Sequence, residues 1–213
     1  MRKLFQFPIF IILSMILGSC QQPTKTNEKK EIKTERKILL SINVIPLGKV
    51  DLNVLSDIKV GIEKFYGVTL IIAKALPLTD DLLAKSRTRY EANKILSKFK
   101  CNKNLLIITE SDIAIKYKKH NSEEWGIMGL GYRPGKTCVV STFRIKRNAS
   151  ETLFKERLIK ICIHEIGHNL GLDHCKYNPK CLMNDANGTI SQVDKEEMYF
   201  CKKCKKKINF VIN

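Results

Sequence analysis

Apolar residues along the chain fall into short runs and helical repeats that predict alternating strands and helices from residue 38 onward. Runs rich in β-branched residues predict four strands, namely ILLSINVIPLG (38–48), GVTLIIAKAL (67–76), NLLIITES (104–111) and KTCVVSTFRI (136–145). Helical spacing predicts a helix with apolar positions Val54, Leu55, Ile58, Ile62 and Phe65, and a second with Tyr90, Ala92, Ile95, Leu96 and Phe99. The pattern contains no internal repeat, so we expect one mixed domain of the α/β (α+β) class.

A longer helix is predicted from about Ser150 to Leu170, where apolar residues again recur at helical spacing. Its expected buried positions are Leu153, Phe154, Leu158, Ile161 and Cys162. Asn148 or Ser150 can cap its first turn, because short polar side chains accept hydrogen bonds from free backbone amides there. Gly171 follows the last turn and can take the positive φ that ends a helix.

The first residues, MRKLFQFPIFIILSMILGSC, form a targeting segment rather than part of the fold. Arg2 and Lys3 precede an apolar stretch that is too short to span a bilayer comfortably. The sequence LGSC resembles the lipidation signal of bacterial lipoproteins. We therefore expect residues 1–19 to be a lipoprotein signal peptide and Cys20 to carry acyl chains. A simple secretory signal or an uncleaved anchor is the alternative.

Residues 20–37 are expected to be the lipidated cysteine and a flexible tether, because they contain almost no apolar side chain after Cys20. The folded domain is then 38–213. Acyl chains on Cys20 would bind the membrane, which predicts a lipid-anchored protein of the bacterial cell envelope. Gln21 is compatible with the outer membrane, where the domain would be periplasmic or surface-facing. We expect a monomer.

Positive charge is the unusual feature of the composition, with 38 Lys and Arg against 21 Asp and Glu and a formal net charge of +17. Such a surplus can attract nucleic acid or anionic lipid. The lysines are scattered, however, apart from short runs near residues 116–120 and 202–207. A solvated surface is therefore the better interpretation, and we expect no specific nucleic-acid partner. His120, in one of those runs, is expected to be an exposed loop residue.

Three of the four histidines lie within HEIGHNLGLDHC (164–175). His164 and His168 are four residues apart, so a helix places them on one face, where both can bind one Zn²⁺. A turn at Gly171 lets His174 approach the same point. Three histidines leave a fourth position open for water, whose pKa zinc lowers to about 7. Glu165 is placed to act as a general base. Helix-surface histidines are the alternative, which the additional fixed positions of the glycine and third histidine disfavour.

Seven cysteines follow Cys20. Four of them, Cys175, Cys181, Cys201 and Cys204, form two pairs about twenty residues apart, which is typical of a tetrahedral Cys₄ zinc site. Disulfides are the alternative, since an exported protein can meet oxidants. The other three, Cys101, Cys138 and Cys162, stand singly in apolar segments and are expected to be small buried hydrophobic residues.

The chain resembles the archaemetzincin family of zinc metallopeptidases, within the metzincin clan, over about residues 40–206. The similarity is carried by HEIGHNLGLDHC, CLM (181–183) and CKKC (201–204), and by INVIPLG, RTRYEANKIL, LLIITESDI and VVSTFRI. It implies a metzincin-like domain with a twisted mixed sheet, an active-site helix and a small C-terminal zinc-bound part. It also implies two Zn²⁺ per chain, one catalytic and one structural, with Met183 as the Met-turn residue. The family commonly has four residues between the first two cysteines, whereas this chain has five.

These observations predict a zinc-dependent metallopeptidase that hydrolyses peptide bonds with zinc-activated water and Glu165 as general base. Its partner is a peptide or protein substrate, which we expect to lie along an edge strand near KTCVVST (136–142). The alternative is a non-catalytic zinc-binding lipoprotein or a peptide-binding module.

Overall fold

Two β-sheets and six α-helices make up residues 41–117 and 121–208, the part of the chain that the computed structural model describes. These residues belong to one structural unit, Lys37–Asn213. The predicted signal peptide, Cys20, the tether and His120 lie outside the described residues. Within the two described ranges, no helix is both long enough and apolar enough to cross a membrane.

The first, five-stranded sheet has the strand order β2-β1-β4-β8-β7, and the second has the order β3-β5-β6. The strands are β1 (Ser41–Pro46), β2 (Thr69–Ile72), β3 (Tyr90–Glu91), β4 (Leu105–Thr109), β5 (Ile113–Tyr117), β6 (Ser122–Ile127), β7 (Gly129–Gly131) and β8 (Thr137–Ser141). In the larger sheet every neighbouring pair is parallel except β7 with β8, which is antiparallel. The sheet is therefore mixed, as predicted, and β7 forms one of its edges.

The helices are α1 (Leu52–Tyr66), α2 (Ala92–Lys98), α3 (Thr142–Ile145), α4 (Glu151–Asn169), α5 (Ile190–Lys195) and α6 (Lys202–Lys205), with a 3₁₀ turn at Asp80–Leu82. Asp51 caps α1, because its carboxylate accepts a hydrogen bond from the Asn53 amide at 2.8 Å. Gly67 ends the same helix at φ 64°. The three predicted helices are present as α1, α2 and α4, although α2 begins later than predicted.

Both faces of the larger sheet are covered, which explains why the sequence of strand β4 is continuously apolar. Leu106 and Ile108 pack into a core shared with α1 and α4, whereas Leu105 and Ile107 pack into a second core with α2. Successive side chains of a strand point to opposite faces, so a strand with both faces buried needs apolar residues at every position. The sheet therefore holds α4 firmly on one face.

Helix α4 has the predicted bounds and the predicted ends. Ser150 caps it by accepting a hydrogen bond from the Leu153 amide at 3.3 Å. Gly171, at φ 91°, ends it and turns the chain back. Because this helix carries two of the candidate ligands, its docking on the sheet fixes the position of the candidate site.

Three sequence predictions need correction at the ends of elements. Tyr90 is not in α2 but in β3, where it pairs with Ile113, since α2 begins at Ala92. The strand predicted over 67–76 is regular only from Thr69 to Ile72, and beyond it Leu76 forms an isolated bridge with Leu47. The strand predicted over 136–145 ends at Ser141, whose hydroxyl accepts a hydrogen bond from the Phe143 amide and starts α3.

The prediction that the segment near KTCVVST forms an edge strand was also wrong. Strand β8 lies inside the sheet, between β4 and β7, and its residues are buried. The edge beside α4 is β7, a strand of only three residues that the apolar pattern did not indicate.

Candidate active site

Three histidine side chains converge where α4 ends. His164 and His168 come from adjacent turns of α4, and His174 returns to them after the bend at Gly171. The potential ligand nitrogens of the three rings all lie within 4.8 Å of one another, and the His168 and His174 Nε2 atoms are 3.3 Å apart. The structure thus brings together the three residues that the sequence predicted.

Backbone carbonyls orient two of these rings. His164 Nδ1 is 2.6 Å from the Leu182 carbonyl oxygen, and His168 Nδ1 is 2.7 Å from that of Leu172. A carbonyl oxygen can only accept, so each Nδ1 carries the proton and donates. Each Nε2 then presents a lone pair to the shared point, which is the form that a metal requires.

The electrostatics of the cluster also favour neutral rings. Burial, with a smaller contribution from the neighbouring His168, lowers the pKa of His164 to about 3. Burial likewise lowers the pKa of His168 and of His174. Neutral imidazoles at neutral pH are available to bind Zn²⁺ without first losing a proton. The donor set, its spacing and its protonation state therefore fit a zinc ion.

Glu165 lies beside the histidines, with its carboxyl group between α4 and β7. It is 7% exposed, and burial raises its pKa to about 8, against a hydrogen bond from the Gly131 amide that lowers the pKa. The carboxyl group lines the same cavity as the three histidines. A carboxyl group in this position can exchange a proton with water in the cavity.

Two glycines of β7 make room for Glu165, and the sequence reasoning missed both. A Cβ atom on Gly129 would lie 2.7 Å from Glu165 Cγ, and one on Gly131 would lie 2.6 Å from the Glu165 backbone oxygen. Any side chain at either position would push α4 away from the edge strand. The available signal was the spacing of glycines in GIMGLG (126–131), which suggests close backbone approach.

Met183 packs directly beneath the histidine-bearing turn of α4. It is fully buried, and a Cβ atom on Gly167 would lie 2.5 Å from its Sδ atom. Gly167 thus permits Met183 to contact the helix backbone between His164 and His168. The role of Gly167 was not predicted, although its position inside HEIGH marked it as unusual for a helix interior.

The four C-terminal cysteines form a second cluster. Cys175, Cys181, Cys201 and Cys204 are buried free thiols whose sulfur atoms all lie within 4.8 Å of one another. The Cys175–Cys201 and Cys181–Cys204 sulfur distances are 3.7 and 3.8 Å. Zn–S bonds of about 2.3 Å in a tetrahedron place sulfurs about 3.8 Å apart, far beyond the roughly 2.05 Å of a disulfide. The cluster therefore fits Zn²⁺ and not a pair of disulfides.

Backbone amides point at two of these sulfurs. The Tyr177 amide donates to Cys175 Sγ at 3.4 Å, and the Cys201 amide donates to Cys181 Sγ at 3.3 Å. Hydrogen bonds of this kind stabilise the thiolate form that binds a metal.

The loop between the first two cysteines absorbs its additional residue in a turn around Asn178. The Asn178 carboxamide oxygen accepts from the Lys180 amide at 2.9 Å, while its amide nitrogen donates to the Tyr199 hydroxyl at 3.0 Å. Asn184 donates back to the Asn178 carbonyl oxygen at 2.8 Å. The five-residue spacing therefore leaves Cys175 and Cys181 in the same cluster.

Of the three remaining cysteines, two are buried as predicted and one is not. Cys138 and Cys162 are buried in the core, as expected. Cys101 is exposed, so the prediction for it was wrong. It lies in the polar turn CNKN between α2 and β4, where the apolar residues on either side point into the core and the turn itself meets solvent.

The two clusters are joined by a short network of backbone hydrogen bonds. Cys175 follows His174 directly, and its amide donates to the Met183 carbonyl oxygen at 2.6 Å. Leu182, whose carbonyl oxygen orients His164, donates its own amide to the Tyr199 carbonyl oxygen at 3.0 Å. The cysteine cluster thus restrains the segment that positions two of the three histidines.

A cavity of about 340 Å³ opens beside the histidines. Strand β7 and the preceding Met128 line one side, and residues 184–188 line another. A cavity of this size accommodates one or two substrate side chains at a time.

Comparison with known proteins places this arrangement in a family. The model of peptidase family M54 matches residues 32–210. The archaemetzincin of Archaeoglobus fulgidus is 33% identical over 149 residues, covering 70% of this chain and 87% of that protein. The archaemetzincin of Pyrococcus furiosus is 31% identical over 183 residues, covering 78% and 91%.

Solved structures of archaemetzincins have the same fold as this chain. The crystal structure of the Archaeoglobus fulgidus archaemetzincin complexed with malonate has a TM-score of 0.70 and 29% identity, covering 79% of this chain and all of that one. The archaemetzincin of Methanopyrus kandleri, at 23% identity and a TM-score of 0.64, shares the fold over 78% of this chain and 92% of that one.

The fold and the histidine site define a zinc-dependent metallopeptidase, with one catalytic zinc site at the histidines and one structural zinc site at the cysteines. The family model covers most of the chain, and two archaemetzincins exceed 30% identity to it. The chain therefore belongs to peptidase family M54, the archaemetzincins.

Proposed function

We propose that Glu165 is the general base of peptide-bond hydrolysis at this site, with His164, His168 and His174 as the ligands of the catalytic zinc. The observation that supports this assignment is the position of the Glu165 carboxyl group, which is buried and faces the cavity shared by the three rings. Zinc at this position supplies Lewis acidity, which polarises a peptide carbonyl group and makes water a better nucleophile at neutral pH.

Glu165 moves the proton. Its carboxylate takes a proton from the attacking water and gives it to the nitrogen of the leaving amine. Burial raises its pKa to about 8, and the hydrogen bond from the Gly131 amide opposes this shift. The group therefore titrates in a range where it can both accept and return a proton. Met183, packed against Gly167, serves as the Met-turn residue that supports the floor of the site.

Strand β7 binds the substrate backbone. It pairs with β8 on one side, and its three residues line the cavity. A peptide in extended conformation can add to such an edge as another strand, which brings its carbonyl groups toward the histidines.

The test is a comparison of wild-type protein with Glu165→Gln at equal zinc content. We expect kcat to fall by about 10²–10⁴-fold, since that is the usual contribution of a general acid–base residue. Zinc per chain should stay at two, measured by atomic emission. Equal activity of the two proteins would remove Glu165 from the mechanism.

The protein performs this reaction as a monomer anchored by acyl chains on Cys20, with residues 21–37 as the tether, at the bacterial cell envelope. The support is the basic and apolar start of the chain followed by LGSC. Labelling of expressing bacterial cells with radioactive palmitate tests it. Incorporation that is lost in Cys20→Ala is the expected result, and an unlabelled wild-type protein would contradict the anchor. Sedimentation of the domain that begins at residue 38 tests the oligomeric state, and the expected result is the mass of a single chain.

A further inference from the structure

The cavity that contains the histidines is also lined by Glu196, a carboxyl group that the proposed reaction does not use. Its lining includes His164, Ile161, which lies one helical turn earlier, and then Val193 and Glu196. Residues three positions apart on a helix are separated by about 4.5 Å along its axis. Glu196, at the end of α5, thus lines the same cavity as His164 and Ile161.

Glu196 is an unusual residue for such a position. It follows α5, its side chain is 4% exposed, and its Oε1 atom has no hydrogen-bond partner among the residues that the structure describes. Buried carboxylate oxygens are normally hydrogen-bonded, because leaving one without a partner costs about 1–3 kcal/mol or more. An unpaired acceptor on a residue that lines a cavity is therefore a candidate for contact with a ligand.

Lys160, the cation whose charge acts on Glu196, already has other partners. Lys160, on α4, is buried, and its Nζ atom donates to Glu156 Oε1 at 2.6 Å and to the Val193 carbonyl oxygen at 3.2 Å. These two contacts compensate its charge. The Oε1 atom of Glu196 is therefore left as an acceptor that an incoming group can still pair.

The walls of the cavity are largely apolar. Ile161 and Val193 form one part, and Trp125 of β6, packed against Gly188, forms another. A long aliphatic stem can pack along such walls while a polar end group reaches the carboxyl group. Lysine and arginine side chains combine these two properties.

We propose that Glu196 is the specificity-determining residue of this peptidase, and that it binds the basic side chain of a lysine or arginine of the substrate. The proposal rests on the proposed function, since it concerns the substrate of the same site. The charged head donates to the unpaired Oε1 atom, and the stem fills the apolar part of the cavity.

The protonation behaviour of Glu196 is consistent with a missing counter-charge. Burial raises its pKa to about 7, while a hydrogen bond from Gln192 and the charge of Lys160 lower it. A bound ammonium or guanidinium group would stabilise the ionised carboxylate. A neutral apolar side chain would offer no such compensation.

The experiment uses the zinc-loaded full chain and peptides that carry lysine, norleucine or glutamate in turn at each position around the cleaved bond. Norleucine has the stem of lysine without the charge. At one position we expect kcat/KM for lysine to exceed that for norleucine by at least about tenfold, the usual effect of a charged hydrogen bond. In Glu196→Gln this ratio should fall to near unity, and Glu196→Asp should restore part of it.

Glu197→Gln is the matched control. It makes the same chemical change at the next residue, whose side chain is half-exposed and pairs with Lys180 at 2.7 Å on the surface. It should keep the lysine preference of the wild type. A wild-type protein without preference for lysine, or an unchanged ratio in Glu196→Gln, would overturn the proposal.

Binding provides a second measurement that does not depend on cleavage. Calorimetry on zinc-loaded Glu165→Gln should show tighter binding of the lysine peptide than of the norleucine peptide, and the difference should vanish in Glu165→Gln/Glu196→Gln. If the two proteins showed the same difference in affinity between the lysine and norleucine peptides, or if neither showed any, the role of Glu196 would be overturned. Failure of the wild type to cleave any peptide would instead overturn the proposed function, with the binding comparison still deciding on Glu196.

Discussion

The two ligand clusters meet at adjacent residues, His174 and Cys175, but differ in access to solvent. The His174 side chain is 41% exposed and opens on the cavity, whereas Cys175 is 6% exposed and its cluster is enclosed by the protein. The histidine cluster offers three ligands and the cysteine cluster offers four. A closed set of four thiolates is typical of structural zinc, and an open set of three histidines is typical of catalytic zinc.

The comparison shows that one segment serves two purposes. Residues 181–183 contribute Cys181 to the closed cluster, the Leu182 carbonyl oxygen to His164, and Met183 to the floor of the open cluster. A metal bound by the cysteines therefore also stabilises the positions of the histidine ligands.

The largest expected effect is that of Cys204→Ser, because it removes a ligand from the closed cluster. We expect a loss of at least about 3 kcal/mol in the free energy of unfolding, since structural zinc contributes directly to folding. The affinity of the histidine site for zinc should also fall by about 10–100-fold, as its supporting segment loosens. Thermal melting and zinc titration measure the two effects.

Two variants accompany this prediction. Cys101→Ser makes the same change at an exposed thiol and should alter neither quantity. His168→Ala should abolish activity and remove one zinc, with a much smaller change in melting temperature. If Cys204→Ser kept two zinc ions and the wild-type melting temperature, the link between the clusters would be disproved.

A smaller effect is expected for Gly167→Ala, which acts on the contact beneath the open cluster. The new methyl group would lie 2.5 Å from Met183 Sδ, and overpacking of this kind costs about 1–3 kcal/mol. Displacement of the α4 turn should also weaken zinc binding at the histidines while the cysteine site keeps its metal. Denaturant unfolding and competition with a chelator measure these changes.

Gly61→Ala is the matched control for this variant. Its methyl group would lie 2.7 Å from the Ile159 side chain, on the α1 side of α4 and away from both clusters. It should reduce stability to a similar degree and leave zinc affinity unchanged. Equal zinc loss in both glycine variants would show that any strain on α4, and not the Met183 contact, disturbs the site.

The smallest effect is expected where neither cluster is involved. The buried guanidinium group of Arg157 makes two 2.6 Å hydrogen bonds to Asp194, whose pKa it lowers. Asp194→Asn should cost about 1 kcal/mol, because the carboxylate is one-third exposed and solvent weakens the pair. Zinc content and activity should be unchanged.

The pH dependence of this last effect has a definite sign. A lowered pKa means that the carboxylate stabilises the fold above its unfolded pKa, about 3.9, and that this contribution is lost as pH falls through the lower folded value. The stability difference between wild type and Asp194→Asn should therefore be constant from pH 7 to about 5 and shrink below about 4. A difference that grew on acidification would contradict the assignment.

Much of the fold could be predicted because its central elements have strong local patterns. Helix α4 has a helical repeat with a capping serine and a terminal glycine, and β4 is a continuous apolar run. Strand β7 escaped prediction because three residues, two of them glycine, show neither alternation nor β-propensity. Its place at the sheet edge is set by pairing with β8, which is a tertiary contact.

The ligands of the site were predictable for a different reason. Geometry on a helix fixes the spacing of His164 and His168, and the clustering of cysteines is visible in the chain itself. Glu196 had no such signal, since it stands in the polar segment VDKEEMY and resembles its exposed neighbour Glu197. Only the packing of α5 against α4 distinguishes the two, by burying one and exposing the other.

The two glycines of β7 have one further consequence. Where Glu165 lies against this strand, the rim of the cleft presents peptide groups without side chains, and peptide groups are alike in every polypeptide. In the proposed binding mode, such a rim would hold any extended segment equally well and would not distinguish one sequence from another. Discrimination among substrates then has to come from the deeper parts of the cleft. Substitutions there should change the substrate preference of the enzyme without weakening its binding of the substrate main chain.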